Sequence, residues 1–294
     1  MLARTEHLDA LEDPTSHFEE SNMSNAGPRS AYVLSALIAV LTLIAAGGGL
    51  LIDDLYQDNA LLVAGWYGND LVTLIVALPM LVVSLILSVR GSGRAQLVWL
   101  GMLAYTLYNF AYYLFGTAFN SLFLLYVTLF DLSMFALLFA LVRLDVADVG
   151  RKFRGTTPVK WIAGYMIFVA VGLTTVYGAE ALGFVVSGQV PEIVTLTGHV
   201  TNVVFALDLS LVVPWFVLGG IWLWQRRPWG YVLATILNVK GTVYMLALSA
   251  VTVSAVRAGA SDDLAQVGIW GTIGLGSLVA SLLLLGNMDS ADRG

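Results

Sequence analysis

The sequence predicts an all-α integral membrane protein with eight transmembrane helices, and three observations carry that prediction. Of its 294 residues 58% are hydrophobic and only 12% charged, with a mean hydropathy of +0.82, about half the charged share of an ordinary soluble domain. The apolar residues come in runs of about twenty, the helix length that crosses a hydrocarbon core of ~30 Å. The basic residues fall in alternate connections between those runs, as the positive-inside rule requires of a multi-pass chain.

Residues 1–30 are acidic, polar and punctuated by Pro14 and Pro28, too polar to bury a core, and are expected to form an unordered cytoplasmic tail. No apolar run follows a basic start, so no signal peptide is read. Met23 opens MSNAGPRS just before the first apolar run, which makes it the expected natural start, with residues 1–22 an upstream extension.

The transmembrane domain is expected over 31–288, followed by a short cytoplasmic tail at 289–294. Its spans are Ala31–Ile52, Leu71–Val89, Gln96–Phe119, Ser121–Val142, Val159–Val176, Val200–Trp224, Trp229–Val256 and Leu264–Leu285. Arg90 and Arg94 follow the second span. Arg143, Arg151, Lys152, Arg154 and Lys160 follow the fourth, and Arg226 and Arg227 the sixth. The other loops carry Asp53, Asp54, Asp58, Asp70, Glu180, Glu192, Asp262 and Asp263, with Arg257 their one base. Both termini are therefore expected in the cytoplasm of a cell bounded by this inner membrane.

The two halves resemble each other. Pro79 interrupts the second span and Pro214 the sixth, and PMLVVSLILSVRGSGRAQLVWLGMLAYTLYNF aligns with PWFVLGGIWLWQRRPWGYVLATILNVKGTVYML. Likewise LYVTLFDLSMFALLFAL shadows IWGTIGLGSLVASLLLL. Four spans in each half preserve orientation, so two parallel four-helix repeats are expected over 31–145 and 158–288.

Composition excludes several chemistries. There is no cysteine, hence no disulfide, thiolate nucleophile or Fe–S cluster. Of the three histidines His7 and His17 lie in the tail, so a bis-histidine haem lacks its second membrane-depth ligand. His199 shares the outer rim with Asp70, Glu180 and Glu192 without the spacing of a metal motif, and they read as solvated loop residues. No nucleotide-binding or serine-hydrolase motif appears, and no nucleic-acid partner is expected. No cofactor is expected.

The chemistry lies at mid-membrane. Helical rise puts Asp208 ~12 Å below the outer boundary, Asp131 ~15 Å and Lys240 ~14 Å, so three ionisable groups share one level. An isolated charge there costs at least ~2.5 kcal/mol, so Lys240 is expected to pair with Asp208 or Asp131. A structural ion pair is the plainer account. The sharper one is a coupling site, because two carboxylates and one ammonium leave a surplus negative charge able to hold a proton or small cation. Tyr105, Tyr108, Asn109 and Tyr112 form a hydrogen-bonding stripe on the third span, and Tyr244 and Asn238 flank Lys240; packed aromatics with satisfied hydroxyls would look the same in sequence.

A small-solute or ion transporter, proton-coupled through Asp131, is thus the expected function. A sensor holding an aldehyde chromophore as a Schiff base on Lys240 is the alternative from another class, beside a non-catalytic scaffold. Gly268, Thr272, Gly276 and Ala280 recur every four residues on the last span, a ridge for close contact within the chain or in a homo-oligomer.

Overall fold

The computed structural model describes residues 14–289, with side chains from residue 29 onward, so the choice between Met1 and Met23 lies outside the described side chains. It is 81% helix and has no strand among the described residues. The helices are α1 (Pro14–Leu51), α2 (Ala60–Val72), α3 (Leu78–Val89), α4 (Gly93–Gly116), α5 (Phe123–Val142), α6 (Val146–Arg151), α7 (Val159–Ser187), α8 (Glu192–Thr197), α9 (Val203–Leu207), α10 (Val213–Trp224), α11 (Pro228–Arg257) and α12 (Ala265–Gly286). The backbone of α1 thus starts within the stretch expected to be unordered, although its apolar part begins at Arg29.

Among the described residues seven helices are long and apolar enough to cross a membrane: 29–51, 60–89, 123–142, 159–187, 203–224, 228–257 and 265–286. The chain is a multi-pass helical membrane protein. Its outward faces are apolar, with Val33, Val40, Trp161, Phe168, Val279 and Leu282 all exposed. Helix α4 falls short of the other seven in hydropathy because it carries the tyrosine stripe and Asn109. It is also walled by protein, with 15 of its 24 residues buried, and a helix that meets little lipid need not be uniformly apolar.

Local chemistry explains the boundaries. Asn59 caps α2 by accepting from the Leu62 N–H, Ser92 caps α4 through the Ala95 N–H, and Asn202 caps α9 through the Phe205 N–H. Pro228 opens α11, where its missing N–H costs nothing. The Asn59 cap starts α2 eleven residues before Leu71, where the sequence predicts the span to begin, and so draws Asn69 and Asp70 out of the expected loop and into the helix.

Two π turns interrupt the second and sixth apolar stretches, at Thr73–Ala77 and Asp208–Val212. In each a backbone N–H reaches back five residues, Leu78 to the Thr73 carbonyl and Val213 to the Asp208 carbonyl. A proline follows one residue later, and the widened turn accommodates its missing donor and bulky ring. The starts of these π turns (73, 208), of the helices after them (78, 213) and of α4 and α11 (93, 228) are all 135 positions apart.

Helices α4 and α11 form the centre. Helix α11 packs on α12, α2, α10 and α4, while α4 also packs on α5 and α3. Gly101 permits the α4–α11 crossing, since a Cβ there would come within 2.7 Å of the Val239 side chain. At the basic end, the Phe153 ring stacks on Tyr231 at 4.5 Å, and the Asp289 N–H donates to the Lys152 carbonyl at 2.8 Å. In this solvated segment the Asp148 carboxyl lies below its usual range, chiefly through its hydrogen bond with Lys152.

Candidate functional site

Asp208 is the first residue of the second π turn and is buried. Its Oδ1 accepts from the Tyr108 hydroxyl at 2.6 Å and its Oδ2 from the Tyr177 hydroxyl at 3.1 Å. Tyr108 comes from α4 and Tyr177 from α7, where it stacks on Phe205 at 4.1 Å. Lys240, on α11, points its Nζ at two aromatic faces, 3.5 Å from the Tyr108 ring centre and 4.6 Å from that of Tyr244. The two rings meet edge to face at 4.6 Å. Among the described residues the direct ion pairs are Asp148 with Arg151 and Lys152, and Arg154 with Asp289. Lys240 and Asp208 are joined differently: Tyr108 gives its hydroxyl to the carboxylate and its π-face to the ammonium. Both charges thereby gain a partner where solvation by water is lost, the ammonium from the ring quadrupole and the carboxylate from phenol donors.

Of the expected residues, Asp208, Lys240, Tyr108 and Tyr244 come together. Tyr105 and Asn109 face α2 and its π turn instead: the Tyr105 and Thr73 hydroxyls are 3.0 Å apart, and the Asn69 amide donates to Asn109 Oδ1 at 2.9 Å. Tyr112 packs on Trp66 at 4.7 Å, and Asn238 donates to the Ala234 carbonyl of its own helix at 2.7 Å.

Asp131 is not at this site, which corrects the expectation that it shares a cluster with Lys240. The inward face of α5 is Tyr126, Leu129, Ser133, Ala136 and Ala140; Asp131 lies between two of these in sequence and hence on the opposite side, exposed, with no partner among the described residues. Equal depth did not mean equal direction. Thr128 is likewise exposed and bonds to the Leu124 carbonyl of its own helix. The ridge on α12 divides in the same way. Gly276 and Ala280 are covered within the chain, Gly276 so closely by Tyr165 that a Cβ would clash, whereas Gly268 meets nothing and Thr272 turns outward.

The residue that sequence reading missed is Asp70. Read as a solvated rim residue, it is 2% exposed, with Oδ2 accepting from the Tyr56 hydroxyl at 2.6 Å and Oδ1 from Tyr113 at 2.7 Å. Gly49 makes room for it: a Cβ there would overlap Asp70 Oδ2 and lie 2.5 Å from the Tyr56 oxygen. The available signal was Asn59, whose capping role places Asp70 three turns inside a helix. The Tyr56 phenol, in the loop before α2, is held well above its usual range by burial and by the neighbouring Asp70 charge, so it serves as a proton donor.

Where α2 and α9 begin and α4 ends lies a cavity of about 480 Å³, walled by Asp58 and Asn59, by Phe115 and Thr117 at the end of α4, by His199, and by Val203. Val203 is five residues from Asp208, about 8 Å of helix. Asp58 holds the rim in place, accepting from the Trp66 indole and from the Ala118 N–H, each at 3.0 Å. No family model, curated protein or solved structure matches this chain.

Proposed function

We propose that the protein is a small-solute or ion transporter whose binding site is Asp208, Lys240, Tyr108, Tyr177 and Tyr244, reached from the 480 Å³ cavity. The observation that carries this reading is a correspondence between the halves. Thr73 and Tyr105 form a hydrogen bond in the first half, and the residues 135 positions further on are Asp208 and Lys240. One device, a π turn facing a long polar side chain on the next central helix, thus occurs twice, neutral in one half and charged in the other. Transporters built from repeats place their substrate at such interrupted helices near the midplane, where backbone and side chains exchange partners as the halves move.

Eight crossings follow if α4 spans as well, and two parallel four-helix halves, 31–145 and 158–288, then account for the equal offsets. The basic residues beside α3, α6 and α10 support a cytoplasmic location for that end and for both termini. The cavity then opens outward. A solute bearing an anionic or hydrogen-bonding group reaches Lys240 by displacing a phenol face, and the phenols released are donors for its remaining polar atoms.

The test is uptake into liposomes, screened over small solutes and ions, with the full chain and its Asp208→Asn and Lys240→Met variants. Transport that survives both substitutions unchanged would remove these residues from the site; no uptake of any solute, with a correctly folded chain, would remove the function.

A second reading has its own observation. A buried amine between two aromatic faces and beside a carboxylate is also the setting of a Schiff-base lysine with its counter-ion. Retinal added to the purified protein would then produce a red-shifted absorption band absent from Lys240→Met; without that band the sensor reading fails.

A further inference from the structure

We propose that Asp70, with Tyr56, Tyr113 and Tyr126, forms a second site that takes up and releases one proton at the outward end of the protein. A buried carboxylate with no counter-cation is stabilised by donated hydrogen bonds or by a proton, and this site has the means for both. The groups facing Asp70 are Tyr56 from the loop before α2, Tyr105 and Tyr113 from α4, and Tyr126 from α5, with Asp58 beyond them. Helix α1 contributes Gly49, and α11 approaches α2 with Ala250 and Ser254 at Gly68. No lysine, arginine or histidine is among them. Lys240, by contrast, serves Asp208 through Tyr108.

The second observation is Tyr126. Its hydroxyl is buried, 1% exposed as a residue, and makes no hydrogen bond of ordinary geometry, although the Tyr56 hydroxyl and the Asn120 side chain lie beside it and its ring lies 5.2 Å from that of Tyr113. An unpartnered hydroxyl in a sealed site is costly unless a second arrangement uses it. Protonation supplies that arrangement. In the unloaded site Tyr56 and Tyr113 donate to the two carboxylate oxygens. When one proton from the outer solution forms an O–H bond at Oδ2, that hydroxyl donates to the Tyr56 oxygen, and Tyr56 turns its own hydrogen to the Tyr126 oxygen. One proton is gained, no electron moves, and the Tyr126 oxygen, unused in the unloaded state, accepts a hydrogen bond in the loaded one.

Helix α4 connects this site with the other, since Tyr113 serves Asp70 and Tyr108, five residues before it, serves Asp208. That the proton is the coupling ion rests on the transport reading; that it binds does not.

The experiment is infrared difference spectroscopy of the purified full chain in lipid nanodiscs, between acidic and alkaline buffer, with no solute present. A protonated-carboxyl C=O band should appear on acidification, vanish in Asp70→Asn, survive in Asp208→Asn, and change frequency in Tyr126→Phe, which removes the end of the hydrogen-bond chain. A band that persists in Asp70→Asn overturns the proposal, as does a band abolished at constant pH by sodium but not by choline, which would mark a metal-cation site. Should Asp70→Asn not fold, the same band in ¹³C-aspartate-labelled protein must move in Tyr113→Phe and Tyr126→Phe; a band unmoved in both also overturns it. A titrating Asp70 band in a protein that takes up no solute would remove the transport reading alone.

Discussion

The Tyr108 hydroxyl donates to Asp208 at 2.6 Å, while the face of the same ring lies 3.5 Å under the Lys240 ammonium. One side chain therefore keeps two opposite charges from touching while satisfying both. A direct ion pair would neutralise itself and hold its helices together, whereas this arrangement leaves the ammonium with no hydrogen-bonded carboxylate to break before it meets a solute.

The pairing predicts a non-additive mutant cycle. Lys240→Met should destabilise the protein by ~3 kcal/mol, because Asp208 stays buried without a cation nearby. Adding Asp208→Asn should recover most of that loss, and adding Asp131→Asn none, with thermal unfolding in detergent as the readout. Equal recovery by both aspartate substitutions would contradict the geometry.

Asp131 faces away from the helix bundle and has no partner among the described residues. Asp131→Leu should therefore change stability by no more than ~0.5 kcal/mol in detergent, and leave uptake and its pH dependence unaltered. Loss of transport in this variant would restore Asp131 to the mechanism and count against the described orientation of α5.

The glycines near the end of α1 differ in what surrounds them. Gly49→Ala should cost ~1–3 kcal/mol or prevent folding, since its Cβ collides with Asp70 and Tyr56. Gly47→Ala, which meets nothing within 4 Å, should be neutral or stabilise by ~0.5–1 kcal/mol through helix propensity. Unfolding midpoints of the two variants decide the matter; a tolerated Gly49→Ala would mean that Asp70 is not seated there.

Helix α4 is the least apolar of the eight long helical stretches, so its crossing is tested by topology. Cysteines placed in the turn at 90–92 and in the segment 117–122 should label from opposite sides, and a reporter at Gly294 should be cytoplasmic. An external C-terminus together with a cytoplasmic N-terminal reporter would mean an odd number of crossings.

Sequence alone determined that this is a multi-pass helical membrane protein. It located Lys240 and Asp208 at one depth and marked the broken stretches through Pro79 and Pro214. These properties depend on composition and on distance along a helix axis, both of which a linear chain states directly. Direction around that axis was a different matter. In a soluble helix the polar face points outward, but in lipid both the outer and inner faces are apolar, so α5 gave no sign of which side Asp131 would occupy. Asp70 was hidden for a related reason, since a carboxylate beside glycine and asparagine resembles a loop until Tyr56, Tyr113 and Gly49 enclose it. Tyr177 likewise became part of the site only when α7 packed against the second π turn. Tertiary structure decided which aspartate meets the lysine's aromatic cage and which is closed in by phenols, because each depends on the rotation of neighbouring helices set by packing contacts far apart in the chain.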